Sequence, residues 1–236
     1  MSITLRPYQR QILDELSLLP SIGLFMGTGT GKTLTSLTRF TETPTHNLLV
    51  FCPHSITSQW TYVIETHFPH LKVLKYSKKN LTSAQKNEEI KQFMASRVVQ
   101  YKVVIVNYEL SYRLPSLTRI NNDWMIIVDE SHRIKNHKAK STKAILNLGT
   151  KTEWKVILTA TPAQGVKGGY VDYYTQLKFI DQINYGFETF ERKYIKYSLI
   201  NYSGSTYPVK TITGYLHTHE IDELLHLCSR YYKPKW

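Results

Sequence analysis

The run Gly23-Leu24-Phe25-Met26-Gly27-Thr28-Gly29-Thr30-Gly31-Lys32-Thr33 constrains this chain more than any other stretch. A short apolar segment of buried-strand type empties into a glycine-rich turn, which ends in Gly31-Lys32-Thr33 ahead of a helix-compatible segment at residues 34–40. That order is the layout of a phosphate-binding loop. Glycines let successive N–H groups point inward at phosphate oxygens, aided by the positive end of the next helix. Thr28, Gly29, Thr30 and Gly31 would form the cradle, and Lys32 would reach the β- and γ-phosphates. The Thr33 hydroxyl would ligand Mg²⁺. Met26 stands where the pattern G-x-x-x-x-G-K-[ST] has its first glycine; Gly27 comes one place late and Gly29 adds freedom.

A second motif follows about a hundred residues later. Trp124-Met125-Ile126-Ile127-Val128 reads as a central strand with Asp129 and Glu130 at its C-terminal end. In an open α/β sheet that edge is where ligands bind. Asp129 is placed to hold Mg²⁺ opposite Thr33, and Glu130 to orient and deprotonate an attacking water. Lys32, Asp129 and Glu130 are therefore the candidate catalytic set. His132 has no second and third ligand at metal-binding spacing, so it reads with Ser131 as a polar link from the nucleotide site to neighbouring elements. Lys155-Val156-Ile157-Leu158 leads into Thr159-Ala160-Thr161-Pro162, a hydroxyl-rich strand exit where Thr159 or Thr161 would sense the γ-phosphate.

The rest of the chain alternates strands and helices. An amphipathic helix carrying Ile12, Leu13, Leu16 and Leu19 precedes the loop, and Gln9 at its start offers both a donor and an acceptor to an adenine edge. Strands at 47–52, 71–76 and 102–107 alternate with helices at 55–68 and 83–96, which predicts a mostly parallel sheet with helices on both faces. After Gly165, Gly168 and Gly169, a mobile loop, the texture turns aromatic: helices at 171–180 and 187–195, a strand at 207–215 and a closing helix at 220–231. The expected division is 1–165 for the nucleotide-binding domain and 166–236 for a helical C-terminal extension of the same lobe.

Charge bears on partners. Thirty Lys+Arg against eighteen Asp+Glu give a formal +12, which favours a polyanion, most commonly nucleic acid. Between Lys72 and Lys102, the cations Lys72, Lys75, Lys78, Lys79, Lys86, Lys91, Arg97 and Lys102, against Glu88 and Glu89, read either as a positive face or as ordinary solvated helix surface. Arg133, Lys135, Lys138, Lys140 and Lys143, uninterrupted by any acid, are the densest basic stretch and a candidate phosphate-backbone contact. Two cysteines are too few for a disulfide scaffold, and no run of about 18 apolar residues exists to span a membrane. With no signal-peptide core at the N-terminus, the expected compartment is the cytoplasm or nucleus.

In this order the motifs resemble the first RecA-like motor domain of superfamily-two helicases and translocases, specifically the Swi/Snf-type ATPases. Leu5-Arg6-Pro7-Tyr8-Gln9 is similar to the adenine-recognising Q motif, and Met26 to Thr33 to motif I in its Met-x-Thr-Gly-Thr-Gly-Lys-Thr form. Cys52-Pro53-His54-Ser55 through Trp60 resembles motif Ia, which grips the nucleic-acid backbone, and Val106-Asn107-Tyr108-Glu109 the next family block. Asp129-Glu130-Ser131-His132 matches motif II, and Thr159-Ala160-Thr161-Pro162 matches motif III, which couples hydrolysis to movement. Phe187-Glu188-Thr189-Phe190, Gly214-Tyr215 and Glu223-Leu224-Leu225 resemble the segment joining the two motor domains. The resemblance implies an ATP- and Mg²⁺-dependent P-loop motor lobe acting on double-stranded DNA, with Arg6 and Gln9 at the adenine and Pro53, His54, Ser55, Arg133, Lys135 and Lys138 at the nucleic acid. It also implies a second RecA-like domain, in cis or in trans, without which turnover is weak. Two other readings stay open: an adaptor whose ATP site only switches shape, and a small nucleotide kinase, which would leave Gln9 and the Thr159–Thr161 turn without a role.

Overall fold

A computed structural model describes residues 4–75, 80–163, 169–200 and 207–233. Position 76, Lys78, Lys79, Gly165 and Gly168, used above, lie outside the described residues.

Continuous apolar runs become strands buried on both faces, as a parallel sheet requires. These are β1 (Ser21–Met26), β2 (Asn47–Cys52), β4 (Lys102–Asn107), β5 (Trp124–Asp129) and β6 (Lys155–Thr159). With β3 (Lys72–Val73) and β9 (Ser229–Tyr232) they form a seven-stranded sheet in the order β3-β4-β2-β5-β6-β1-β9, every pairing parallel. Alternate side chains supply two cores. Ile22, Leu24, Met26, Leu48 and Val50 meet α1 (Pro7–Glu15), α2 (Lys32–Thr41) and α3 (Thr57–His67) through Ile12, Leu37, Phe40 and Trp60. Phe25, Leu49, Ile126 and Val128 share the other core with α4 (Ser83–Ala95), α5 (Lys140–Gly149), α6 (Tyr173–Phe179), α7 (Phe187–Tyr194) and α8 (Thr218–Cys228). Each fully buried side chain of this size contributes about 1.5–3 kcal/mol, so the sheet is a rigid platform for what hangs from its edge.

Two expectations need correction. The strand at 71–76 shrinks to Lys72–Val73, a short edge strand. The closing helix stops at Cys228, and Ser229–Tyr232 turns into β9, paired parallel to β1 from Gly23↔Ser229 to Met26↔Tyr232. The helical pattern ended where an unpaired β1 edge offered backbone partners, and the aromatic, extended-prone Arg230-Tyr231-Tyr232 took them. The strand expected at 207–215 is β8 (Val209–Tyr215), which pairs antiparallel with β7 (Ile195–Ile200) in a separate two-stranded ribbon.

Candidate active site

Parallel strands deliver their C-terminal ends to one edge. Phe25 on β1 lies opposite Thr159 on β6, and Asp129 on β5 opposite Leu158, so β6 sits between the glycine-rich loop and the carboxylates. The loop turns through Gly29 and Gly31 at φ +74° and +80°, left-handed backbone open to glycine at no steric cost. Lys32 opens α2 and folds back, its Nζ donating to the carbonyls of Met26 (3.0 Å) and Gly27 (3.2 Å). Thr28 and Gly29 are exposed, whereas Thr30 is buried and donates to the Gly27 carbonyl at 2.6 Å.

Gln9 is buried beneath this loop. Its Nε2 donates to the Thr30 carbonyl (2.9 Å) and its Oε1 accepts from the Arg6 N–H (2.8 Å), which leaves one hydrogen and one lone pair for any other partner. The Arg6 side chain is exposed. Tyr8 also donates to the Thr30 carbonyl (2.8 Å) and stacks on Tyr232 with centroids 3.8 Å apart, while the Gly27 N–H donates to the Tyr232 carbonyl (2.8 Å). The loop is thus tied at once to α1 and to β9.

At the end of β5, Asp129 is buried and its two oxygens accept from Trp60 Nε1 (2.8 Å) and the Glu130 N–H (2.9 Å). Burial pushes its carboxyl above the usual range, and the Trp60 hydrogen bond opposes that. Tyr108, itself buried, donates to the Asp129 carbonyl. Glu130 stands in left-handed backbone at φ 54°, ψ 53°, a conformation that costs a non-glycine residue about 1–2 kcal/mol. Its carboxylate meets Thr159 Oγ1 and His132 Nδ1, each at 3.4 Å, and those two atoms lie 3.1 Å apart. Burial lowers the His132 pKa, and the nearby Glu130 carboxylate opposes that. Ser131 is fully buried and Thr161 donates its N–H to Thr159 Oγ1 at 3.1 Å; Ala160 is half-buried. The two strand exits form one hydrogen-bonded cluster.

A Mg²⁺ ion fits this donor set: a carboxylate whose oxygens each keep a free lone pair, and a half-exposed Thr33 hydroxyl at the head of α2. Asp129 and Lys32 also lie close enough to interact electrostatically.

The basic candidates divide. His54 and Ser55 are exposed on a 3₁₀ turn (His54–Ile56) after Pro53. The run from Arg133 onward is less free than it reads, because distant acids answer it: Arg133 lies 3.6 Å from Glu109 and over the Tyr108 ring, and Lys135 lies 3.8 Å from Asp172. Lys138 is exposed. Arg133, Lys140, Ser141 and Tyr112 line an open cleft of about 340 Å³. The sequence places Trp60 at the end of the block resembling motif Ia and Tyr108 in the next family block, but gives neither a part at Asp129, since only the fold brings them there.

Residues 21–232 match the SNF2-related domain. The chain belongs to that family. It is 31% identical over 170 residues to helicase SWR1 of Candida albicans, covering 68% of this chain and 10% of that protein. Transcription termination factor 2 of Drosophila melanogaster is 31% identical over 135 residues, 56% of this chain and 12% of that protein. Human DNA repair and recombination protein RAD54B is 30% identical over 117 residues, 49% of this chain and 12% of its own. In fold, the SWI2/SNF2 ATPase core of Sulfolobus solfataricus solved with dsDNA is similar at a TM-score of 0.71 and 20% identity, over 100% of this chain and 46% of that one. This SNF2-family lobe therefore spans about a tenth of the curated relatives' length and under half of the solved core. It is a domain of the SNF2-related kind, and its likeness to the solved ATPase core is one of fold.

Proposed function

We propose that the chain is the ATP-binding lobe of a motor that couples ATP hydrolysis to movement on, or remodelling of, double-stranded DNA. The carrying observation is the contact of Glu130 with Thr159 and His132, which joins the candidate water-activating carboxylate to the strand exit expected to sense phosphate. Lys32 and the N–H groups of the loop bind the phosphates, and Arg6 and Gln9 border the adenine. Glu130 takes a proton from the attacking water. Thr33 and Asp129 would hold Mg²⁺, which when bound neutralises charge developing on the phosphoryl oxygens. Ser131, His132, Thr159, Ala160 and Thr161 relay the state of that site towards Pro53, His54, Ser55, Arg133, Lys135 and Lys138 at the DNA. The net charge of +12 and the DNA-related names among the relatives support this partner, and with it an intracellular setting. A second RecA-like domain, in cis or trans, completes the site with an arginine, a contribution on the order of 10³–10⁵ in rate where such fingers have been tested.

The test is ATP binding and turnover by this chain with and without duplex DNA. Wild type should bind ATP and turn it over slowly, and Lys32→Ala should bind poorly. Glu130→Gln should keep binding while turnover falls about 10²–10⁴-fold. Equal ATP binding by wild type and Lys32→Ala would overturn the reading. Tight binding with a DNA response that survives Glu130→Gln would favour the switching adaptor instead.

A further inference from the structure

Gln176 lies on α6, about 45 residues beyond the carboxylates in sequence, yet its side chain is fully buried and meets Ser131, the residue that follows them. Its Nε2 donates to the carbonyls of Pro162 (2.6 Å) and Asp172 (3.0 Å), and its Oε1 accepts the Ser131 hydroxyl (2.7 Å). Two carbonyls on one side fix which way the amide points, because carbonyls only accept. Both amide hydrogens and one oxygen lone pair are therefore committed.

What this amide joins is specific. Ser131 follows Glu130, whose left-handed backbone aims its carboxylate at Thr159 and His132. Pro162 ends the turn that begins with Thr159. Asp172 heads α6 and lies 3.8 Å from Lys135, on the loop that leaves the carboxylates. One buried side chain thus sets the spacing between the exits of β5 and β6 and ties both to the helix that opens the C-terminal part. A strained residue keeps its conformation only where its surroundings over-determine it, and misplacing a reacting group by about 1 Å can cost 10²-fold in rate.

We propose that Gln176 is a positioning residue: through Ser131 and Pro162 it locks the Glu130 turn to the Thr159–Pro162 exit and passes changes at the nucleotide to α6. This rests on the reading of Glu130 as the group that activates water. The link is cut with least disturbance by Ser131→Ala, which leaves Gln176 on its two carbonyls, and from the other side by Gln176→Leu. Each variant of the full chain is measured for thermal unfolding, for KM and kcat with ATP and duplex DNA, and for amide hydrogen exchange without nucleotide. Ser131→Ala should lower kcat about tenfold with KM within twofold, and speed exchange at residues 130–134 about tenfold while β5 is unchanged. Gln176→Leu should lower kcat similarly despite a larger loss of melting temperature, and the double variant should be no slower than the slower single. A merely structural contact would make kcat follow stability, leaving Ser131→Ala near wild type; kcat within twofold and unchanged exchange would overturn the proposal. If wild type and Lys32→Ala turn over ATP alike, the motor reading fails, while the exchange at 130–134 still decides the tie.

Discussion

Asp129 carries its charge where burial resists it, and Trp60 is what makes that tolerable. The indole N–H donates to Oδ2 inside the protein, where a hydrogen bond to a charged group is worth about 1.5–3 kcal/mol. A carboxyl raised by burial above its ordinary 3.8 binds more protons folded than unfolded. Without ligand, stability from this group is therefore highest at low pH and falls as pH rises from 3.8 through the folded value. Trp60→Phe removes the donor that opposes the shift, so the folded pKa climbs further. The variant should lose about 1–3 kcal/mol in urea melts at pH 7 and visibly less at pH 4. An equal loss at both values would mean that packing alone explains Trp60.

Among the elements, the glycine-rich turn and its neighbours act as one unit. Gly31 stands at φ +80°, and a Cβ built there would meet Gln9 Nε2 at 2.5 Å. Gly31→Ala therefore adds left-handed strain of about 1–2 kcal/mol to a clash with the amide that supports Thr30. It should lower the melting midpoint and abolish ATP binding, whereas Gly29→Ala, with nothing within 4 Å of its Cβ, carries the backbone strain alone and should cost less. Calorimetry on the two proteins separates clash from strain. The G-x-G-K-T spacing was readable because phosphate cradling needs local backbone chemistry. The role of α1 under the loop and of β9 beside it was not, because those contacts join residues more than 20 and 200 positions apart.

Over the whole molecule, the excess of +12 is distributed unevenly in its effect. Arg133 and Lys135 already face Glu109 and Asp172, while Lys138 is exposed. Each cation that neutralises a DNA phosphate adds about 0.9 to the slope of log K against log salt. Lys138→Ala should therefore reduce that slope by about 0.9, and Arg133→Ala by less, in fluorescence anisotropy titrations with duplex DNA across salt. Equal slopes for all three proteins would remove this stretch from the DNA face. Among the described residues, no helix is long and apolar enough to cross a membrane.

The sequence by itself determined the parts whose physics is local. Apolar runs that can be buried on both faces specify a parallel sheet, and glycine, lysine and threonine at fixed spacing specify a phosphate cradle. Two carboxylates after such a run fall at the sheet edge, and those motifs in order carried the family. Tertiary structure alone decided the rest, because it depends on which distant groups share a low-dielectric space. It turned the expected end of the last helix into a strand on β1, placed Trp60 on Asp129, set acids against the basic run and brought Gln176 between two strand exits. Periodicity shows which way a side chain faces; which buried polar group will meet it is settled only when the chain has packed.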